Sequence, residues 1–155
     1  MDAAAILVRP AAMGDVPGIR ECVGAVAGEG RYLAFTKPYS FIETAFYLAR
    51  VLDAGHPYFI AIDDQSVVGW CDVTPARGDV HAHVGVLGMG VLRKWRERGV
   101  GRRLIGAALD AASIVFEQVE LHVYASNDRA GALPQIRLRR AGPSTRRSQA
   151  RRRVR

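Results

Sequence analysis

In the segment VLRKWRERGVGRRLI, residues 91–105, Arg96, Arg98, Arg102 and Arg103 surround Gly99 and Gly101 where a strand-like run gives way to a helix-like run. The first turn of a helix leaves backbone N–H groups without intrahelical partners, and the helix dipole adds partial positive charge there. Such a turn attracts anions. Glycines let the backbone approach a phosphate with no side chain between them, and the arginines add positive charge. The chemistry implied is a cradle for a phosphate or pyrophosphate. It is not a Walker loop, because no G-K-[ST] follows. Nor is it the dinucleotide fingerprint G-x-G-x-x-G, whose third glycine would fall where Leu104 stands. On the glycine spacing alone, a basic surface turn at a helix start is an equal alternative.

The elements that must position this segment follow from periodicity and turn chemistry. AILVRP reads as a short strand, and Asp15 stands as N-cap before GIRECVGAVA, with Pro17 in the first turn. GEGRYLAFTKPYS is a loop rich in glycine and aromatics. Ser40 and Glu43 form a capping box for a second helix, FIETAFYLARVL, whose Phe41, Ala45, Leu48 and Leu52 recur at helical spacing and which Gly55 ends. In YFIAIDDQSVVGWCDVTP two strand-like runs flank a hairpin turn. HVGVLGMGVL is a strand carrying Gly85, Gly88 and Gly90, which predicts a bulge or a close approach by a ligand. GVGRRLIGAALDAASIVF is a helix with Leu104, Ala108 and Ala111 or Ala112 inward; QVELHVYA is a strand, and SNDRAGAL begins another helix. The order β-α-α-β-β-β-α-β-α predicts an α/β chain of mixed α+β layout. Consecutive strands pair antiparallel, and the two strands flanking the Gly99 helix run parallel through a right-handed crossover.

At 155 residues and 49% hydrophobic content, the chain suits one domain with its own core. No apolar run is long enough to span a membrane, and MDAAAILVRPA lacks the basic start and cleavage site of a signal peptide. Cys22 and Cys71 sit in no metal or redox spacing, so both are expected as reduced core thiols in a cytoplasmic protein, with no metal site. The net charge of +7 is unevenly spread. Arg137 to Arg155 holds nine arginines and no acid, leaving 22 − 9 = 13 bases against 15 acids in the rest of the chain. The body is mildly acidic, and a nucleic-acid partner would be inferred from the tail alone.

Arg96-x-x-Gly99-x-Gly101 resembles the Q/R-x-x-G-x-G/A motif of the GNAT superfamily of N-acetyltransferases. The flanking strand LGMGVL, helix RRLIGAALDAA, strand VELHVYA and early VRPAAMGDVPGI resemble the family as well, over roughly residues 5–133. The resemblance implies the GNAT-like acyl-CoA N-acyltransferase fold and acetyl-CoA as co-substrate, with transfer to an amine by direct attack in a ternary complex. It implies that the amides of Arg98, Gly99, Val100, Gly101 and Arg102 hold the pyrophosphate beside Arg96. It further implies that the backbone of Val91, Leu92 and Arg93 pairs with the pantetheine arm as an added strand, and that Asn127 touches the same arm.

Acetyl transfer requires that the amine lose a proton and that the developing oxyanion meet a donor. The donor would be a backbone N–H near Val91. Base candidates are His81 and His83 beside the central strand, and Glu43, Tyr32 or Tyr39 around the acceptor site. Many family members carry a carboxylate on the central strand; HVGVLGMGV has none. Trp70 and Trp95 are candidates for a pocket wall or for core packing.

The family closes with N-x-x-A-x-x-L-Y-x-x-x-G-F, whose tyrosine commonly protonates the leaving thiolate. This chain supplies Asn127, Ala130 and Leu133 in register; Pro134 then stands where the tyrosine is expected. GALPQIRLRRAG can be encoded by a nucleotide string that, read one base later, gives ALYRKFGFVEQ. The reading is an acetyltransferase-like domain over residues 1–133 and an Arg-rich tail over 134–155 that is disordered or non-native and looks out of frame. The closing strands would be missing and VELHVYA would keep an unpaired edge.

Two other functions compete. One is a catalytically inactive acyl-CoA-binding module. The other is a nucleic-acid binder using the Arg tail, which lacks aromatics for base stacking. The acceptor stays open among small-molecule and peptide amines, and a homodimer is compatible with the sequence.

Overall fold

Strand β1 (Leu7–Pro10) forms one edge of the sheet, antiparallel to β2 (Tyr58–Asp63), with Leu7 opposite Ile62 and Pro10 opposite Phe59. An edge strand is where a proline is tolerated. The computed structural model describes residues 5–30, 39–78, 83–123, 137–139, 147–149 and 151–154. Helix α1 (Val16–Ala27) follows β1, with Asp15 at the N-cap position and Pro17 in the first turn, as expected. The Asp15 carboxylate does not cap the helix. It receives both Arg9 guanidinium nitrogens at 2.7 and 2.8 Å and the Ala12 N–H at 2.8 Å, tying β1 to the helix entrance.

Helix α2 (Phe41–Asp53) starts with the capping box read from the sequence. Glu43 N–H donates to Ser40 Oγ at 3.1 Å, and Ser40 N–H donates to Glu43 Oε2 at 2.7 Å. Its buried stripe is Thr44, Leu48 and Val51. Phe41, expected inward, is 52% exposed. The stripe tolerates Thr44 because its hydroxyl donates to the Ser40 carbonyl at 2.9 Å.

A turn with Asp64 in the left-handed region (φ 55°) joins β2 to β3 (Ser66–Pro75). β3 pairs antiparallel with β4 (Val84–Val91), from Gly69 opposite Val91 to Pro75 opposite Gly85. The glycines of β4 answer to β3 rather than to a bulge. A Cβ on Gly90 would lie 2.3 Å from the Trp70 ring, and one on Gly88 would lie 2.9 Å from Asp72 Oδ1. The register irregularity sits instead between β2 and β3, where Ala61 pairs with Gly69 and Ile62 with Val67, leaving Val68 as the extra residue.

Helix α3 (Val100–Val115) buries Leu104, Ala108 and Ala112 as its spacing predicts. It leads to β5 (Gln118–Val123), parallel to β4 from Val84–Gln118 to Leu87–Leu121. α3 packs on one sheet face over Val73, Leu87, Phe116 and Val119. α1 and α2 cover the other face, where Ile19, Cys22, Leu48, Ile60 and Trp70 meet. Each fully buried large apolar side chain contributes about 1.5–3 kcal/mol.

Beyond β5, β6 (Arg137–Arg139) and β7 (Arg147–Gln149) pair antiparallel in a separate two-stranded sheet. β8 (Arg151–Val154) lies parallel to β5, Glu120 opposite Arg151 and Val123 opposite Val154. The main sheet therefore runs β1-β2-β3-β4-β5-β8. The unpaired β5 edge expected from the sequence is covered by the tail. Ladder hydrogen bonds use main-chain groups, which any non-proline residue supplies. Among the described residues, no helix is long and apolar enough to cross a membrane.

Candidate active site

The turn between β4 and α3 has the form an anion requires. Gly99, the N-cap of α3, is left-handed (φ 81°), no side chain caps the helix, and Glu97 is also left-handed (φ 61°). A Cβ on Gly99 would meet nothing within 4 Å, so space lies open in front of the first turn. Gly101 faces inward: its Cβ would lie 3.2 Å from Met89 Cε. Arg98 lies over the Trp95 ring, 5.9 Å from its centroid, and Arg102 and Arg103 are exposed. These residues fit a pyrophosphate. Arg96 does different work. Its Nε donates to the Val91 carbonyl at 2.9 Å and its Nη2 pairs with Glu29 at 2.5 Å, so it braces the turn.

Upstream of that turn, β4 parts from β5. Leu92 N–H donates to the Val68 carbonyl and Ala76 N–H to the Val84 carbonyl, both at 2.8 Å. By alternation, the even-numbered residues of β4 turn their backbone toward β3 and the odd-numbered ones toward β5. Registered pairing with β5 ends at Leu87–Leu121, although the strands continue to Val91 and Val123. The N–H groups of Met89 and Val91 therefore face the side where the two strands part. The sequence assigned Leu92 and Arg93 to the same open edge. The structure does not place them there: the Leu92 amide is taken by β3, its carbonyl accepts from Trp95, and Arg93 begins a 3-10 turn, Arg93–Trp95.

On the α1/α2 face of this region lies a cavity of about 420 Å³. Tyr39, Tyr47, Tyr58 and Trp70 form its aromatic wall, and Gly88 and Met89 open it to β4. Its buried acid is Asp72 of β3, 6% exposed, opposite Gly88. The Asp72 carboxylate occupies the space a side chain at 88 would fill, and Tyr47 OH donates to it. Burial pushes Asp72 up to about 6. Tyr47 is raised far above the usual phenol range, by burial first and then by the Asp72 charge, so its hydroxyl stays a donor. A carboxyl raised to about 6 in a cleft is a general-base candidate.

The sequence reasoning missed Asp72. The available signal was an acid alternating with Trp70 on one face of a strongly apolar strand, VVGWCDVTP, a place where unpaired charge is rare. The proposed bases fare differently. His83 is exposed at the start of β4, five residues before Gly88, roughly 16 Å along the strand. Its carbonyl accepts from Glu117 N–H, and the structure does not bring the residue to the cavity. Glu43 lines the cavity rim with its carboxylate engaged in the α2 cap. Tyr39 lines the rim as well, its carbonyl accepting from Arg20 Nε at 3.0 Å. Tyr32, His81, Asn127 and Pro134 lie outside the described residues. Trp70 lines the cavity, whereas Trp95 packs in the α3-side core. Cys22 and Cys71 are buried free thiols; burial raises Cys22 to about 12 and Cys71 well above its usual value. Among the described residues, no cluster of three metal-ligating side chains occurs.

Comparison with known proteins bears on this geometry. The family model for the acetyltransferase (GNAT) family matches residues 29–136. No curated protein matches the chain in sequence. Among solved structures, a GNAT-family acetyltransferase from Streptococcus pneumoniae is similar with a TM-score of 0.74 and 17% identity, over 82% of this chain and 79% of that one. A GNAT superfamily phosphinothricin acetyltransferase from Sinorhizobium meliloti, solved with acetyl-CoA, is similar with a TM-score of 0.66 and 20% identity. There the match covers 70% of this chain and 60% of that protein's length. A GNAT N-acetyltransferase from Kribbella flavida shares 29% identity over 70% of this chain and 66% of its own, with a TM-score of 0.57. The mixed sheet with its parted β4 and β5 is the acyl-CoA N-acyltransferase fold, and with the family match covering more than half its length, the chain belongs to the acetyltransferase (GNAT) family.

Proposed function

We propose that this protein transfers the acetyl group of acetyl-CoA to a primary amine by direct attack in a ternary complex, with Asp72 as the base. Acetyl-CoA, the co-substrate of this family, supplies an acyl group activated as a thioester. The first-turn amides of α3, from Arg98 to Arg102, hold the pyrophosphate, with Arg96 keeping the turn in shape. The Val91 N–H, directed at the parting of β4 and β5, donates to the carbonyl oxygen as it gains charge. Asp72, oriented by Tyr47, accepts a proton from the acceptor ammonium; the freed amine forms the C–N bond to the acetyl carbon, the C–S bond breaks, and CoA leaves as a thiolate that takes its proton from solvent. The observation that carries this reading is the buried Asp72, its carboxyl raised to about 6, facing a cavity that meets β4 at Gly88–Met89, just past Leu87, where the strand loses its pairing with β5.

A thiol-release assay with acetyl-CoA and a panel of primary amines tests it. Thiol release that depends on both substrates is expected; acetyl-CoA binding with no release on any amine would sink the transfer reading. That second outcome is the inactive acyl-CoA-binding module, favoured by one observation: Pro134 occupies the position of the family's thiolate-protonating tyrosine.

A further inference from the structure

We propose that the cavity selects a primary amine carrying a single positive charge on an apolar, ring-sized body, such as an arylalkylamine, over polyamines, aminosugars and peptide amines. This rests on the reading of Asp72 as the group that meets the amine.

The charge balance of the lining carries the argument. Three charged side chains line the cavity among the described residues: Arg20, Glu43 and Asp72. Arg20 and Glu43 are exposed at the rim, opposite in sign and already engaged, Arg20 Nε with the Tyr39 carbonyl and Glu43 with the Ser40 amide. Only Asp72 is buried, so the interior offers one negative charge. One ammonium satisfies it. A second ammonium inside would lose its hydration against Ile19, Val23 and Met89, with no further carboxylate among the described lining residues to receive it.

The walls argue for the apolar body. Tyr47 and Tyr58 meet edge to face with ring centroids 6.3 Å apart, and Trp70 lies beside them. Aromatic faces attract a cation and pack against a flat apolar group. A cavity of about 420 Å³ encloses a small molecule, not a polymer side chain with its backbone.

The test measures binding directly, without turnover. The full chain, free of acetyl-CoA, is titrated calorimetrically with 2-phenylethylamine, with 2-phenylethanol as its uncharged counterpart, and with spermidine. 2-Phenylethylamine is expected to bind at least tenfold more tightly than either, and Asp72→Asn to erase its advantage over the alcohol. Equal or tighter binding of spermidine, no binding of 2-phenylethylamine, or an amine preference that survives Asp72→Asn overturns the proposal. Thiol release with spermidine but not with 2-phenylethylamine would overturn the acceptor class and leave acetyl transfer standing. Selective amine binding with no affinity for acetyl-CoA would do the reverse.

Discussion

Asp72 sets a condition on the fold through its buried carboxyl. Its carboxyl is raised to about 6 by burial, with Tyr47 opposing the shift only in part. The folded state therefore holds this proton more tightly than the unfolded chain does. The fold is least penalised below the ordinary carboxylate range and loses stability as pH rises through about 6. The ionised group costs on the order of 3 kcal/mol at neutral pH. Asp72→Asn keeps the shape and removes the charge. We expect it to melt several degrees higher at pH 8 while turnover falls roughly 100- to 10,000-fold. Melting curves and thiol-release rates on the same preparations check both, and a lower melting temperature at pH 8 would make Asp72 structural. In the wild type, kcat/KM should fall as pH drops through about 6, as Asp72 takes up its proton; a flat profile to pH 5 would exclude it as the base. Residues 96 to 101 were legible in the sequence because a helix N-terminus is a local object. Asp72 was not, because its burial depends on Gly88 of another strand and Tyr47 of a distant helix.

At the scale of elements, the turn before α3 works because its neighbours hold it. Arg96 joins that turn to the end of β4 through the Val91 carbonyl and to the segment after α1 through Glu29. Arg96→Ala removes both ties, and charged hydrogen bonds of this kind are each worth about 1.5–3 kcal/mol. We expect acetyl-CoA to bind about tenfold more weakly, equivalent to ~1.4 kcal/mol, as read by titration calorimetry. A Kd within twofold of wild type would reduce Arg96 to a surface cation. The glycines of β4 give a second expectation. Gly90→Ala would set a Cβ 2.3 Å from the Trp70 ring, forcing that ring toward the cavity. The overpacking should cost about 1–3 kcal/mol, seen as a lower urea midpoint; an unchanged midpoint would mean the sheet yields freely there. The α2 cap, the hairpin at Asp64 and the inward stripe of α3 were legible because each is written within one element. The rotation of α2 and the reason for the β4 glycines were not. Thr44 is buried by what α2 packs against, and Gly88 and Gly90 are fixed by the side chains facing them across the ladder.

For the whole molecule, the question is how the tail relates to a domain whose charge it reverses. The tail's β8 gives β5 a main-chain partner, yet backbone pairing specifies neither side-chain packing nor catalysis. The family's closing segment would bring a tyrosine in place of Pro134; one permitted choice of codons, read one base later, gives Tyr-Arg-Lys-Phe-Gly-Phe directly after a leucine, and two bases lost near the Gly131 codon would account for the family's spacing from Asn127. We propose that residues from Pro134 onward arise from a shifted reading frame, so that their nine arginines from Arg137 to Arg155 reflect base composition rather than a nucleic-acid partner. A chain in which Leu133 is followed by that restored sequence should melt higher, because it regains core-forming residues. It should also release thiol at least tenfold faster, within the range for a positioned general acid. Acetyl-CoA affinity should change little, since the α3 turn is already in place. This pattern separates a lost acid from a lost fold: a faster rate with equal affinity assigns the defect to the chemical step, whereas recovered affinity would show that the tail had disturbed the cofactor half. The nucleotide sequence gives the prior check. If no frame from Gly131 onward encodes L-Y-x-x-x-G-F, the arginine tail is the gene's own product, and equal rates in the two chains would then show that turnover does not need the tyrosine.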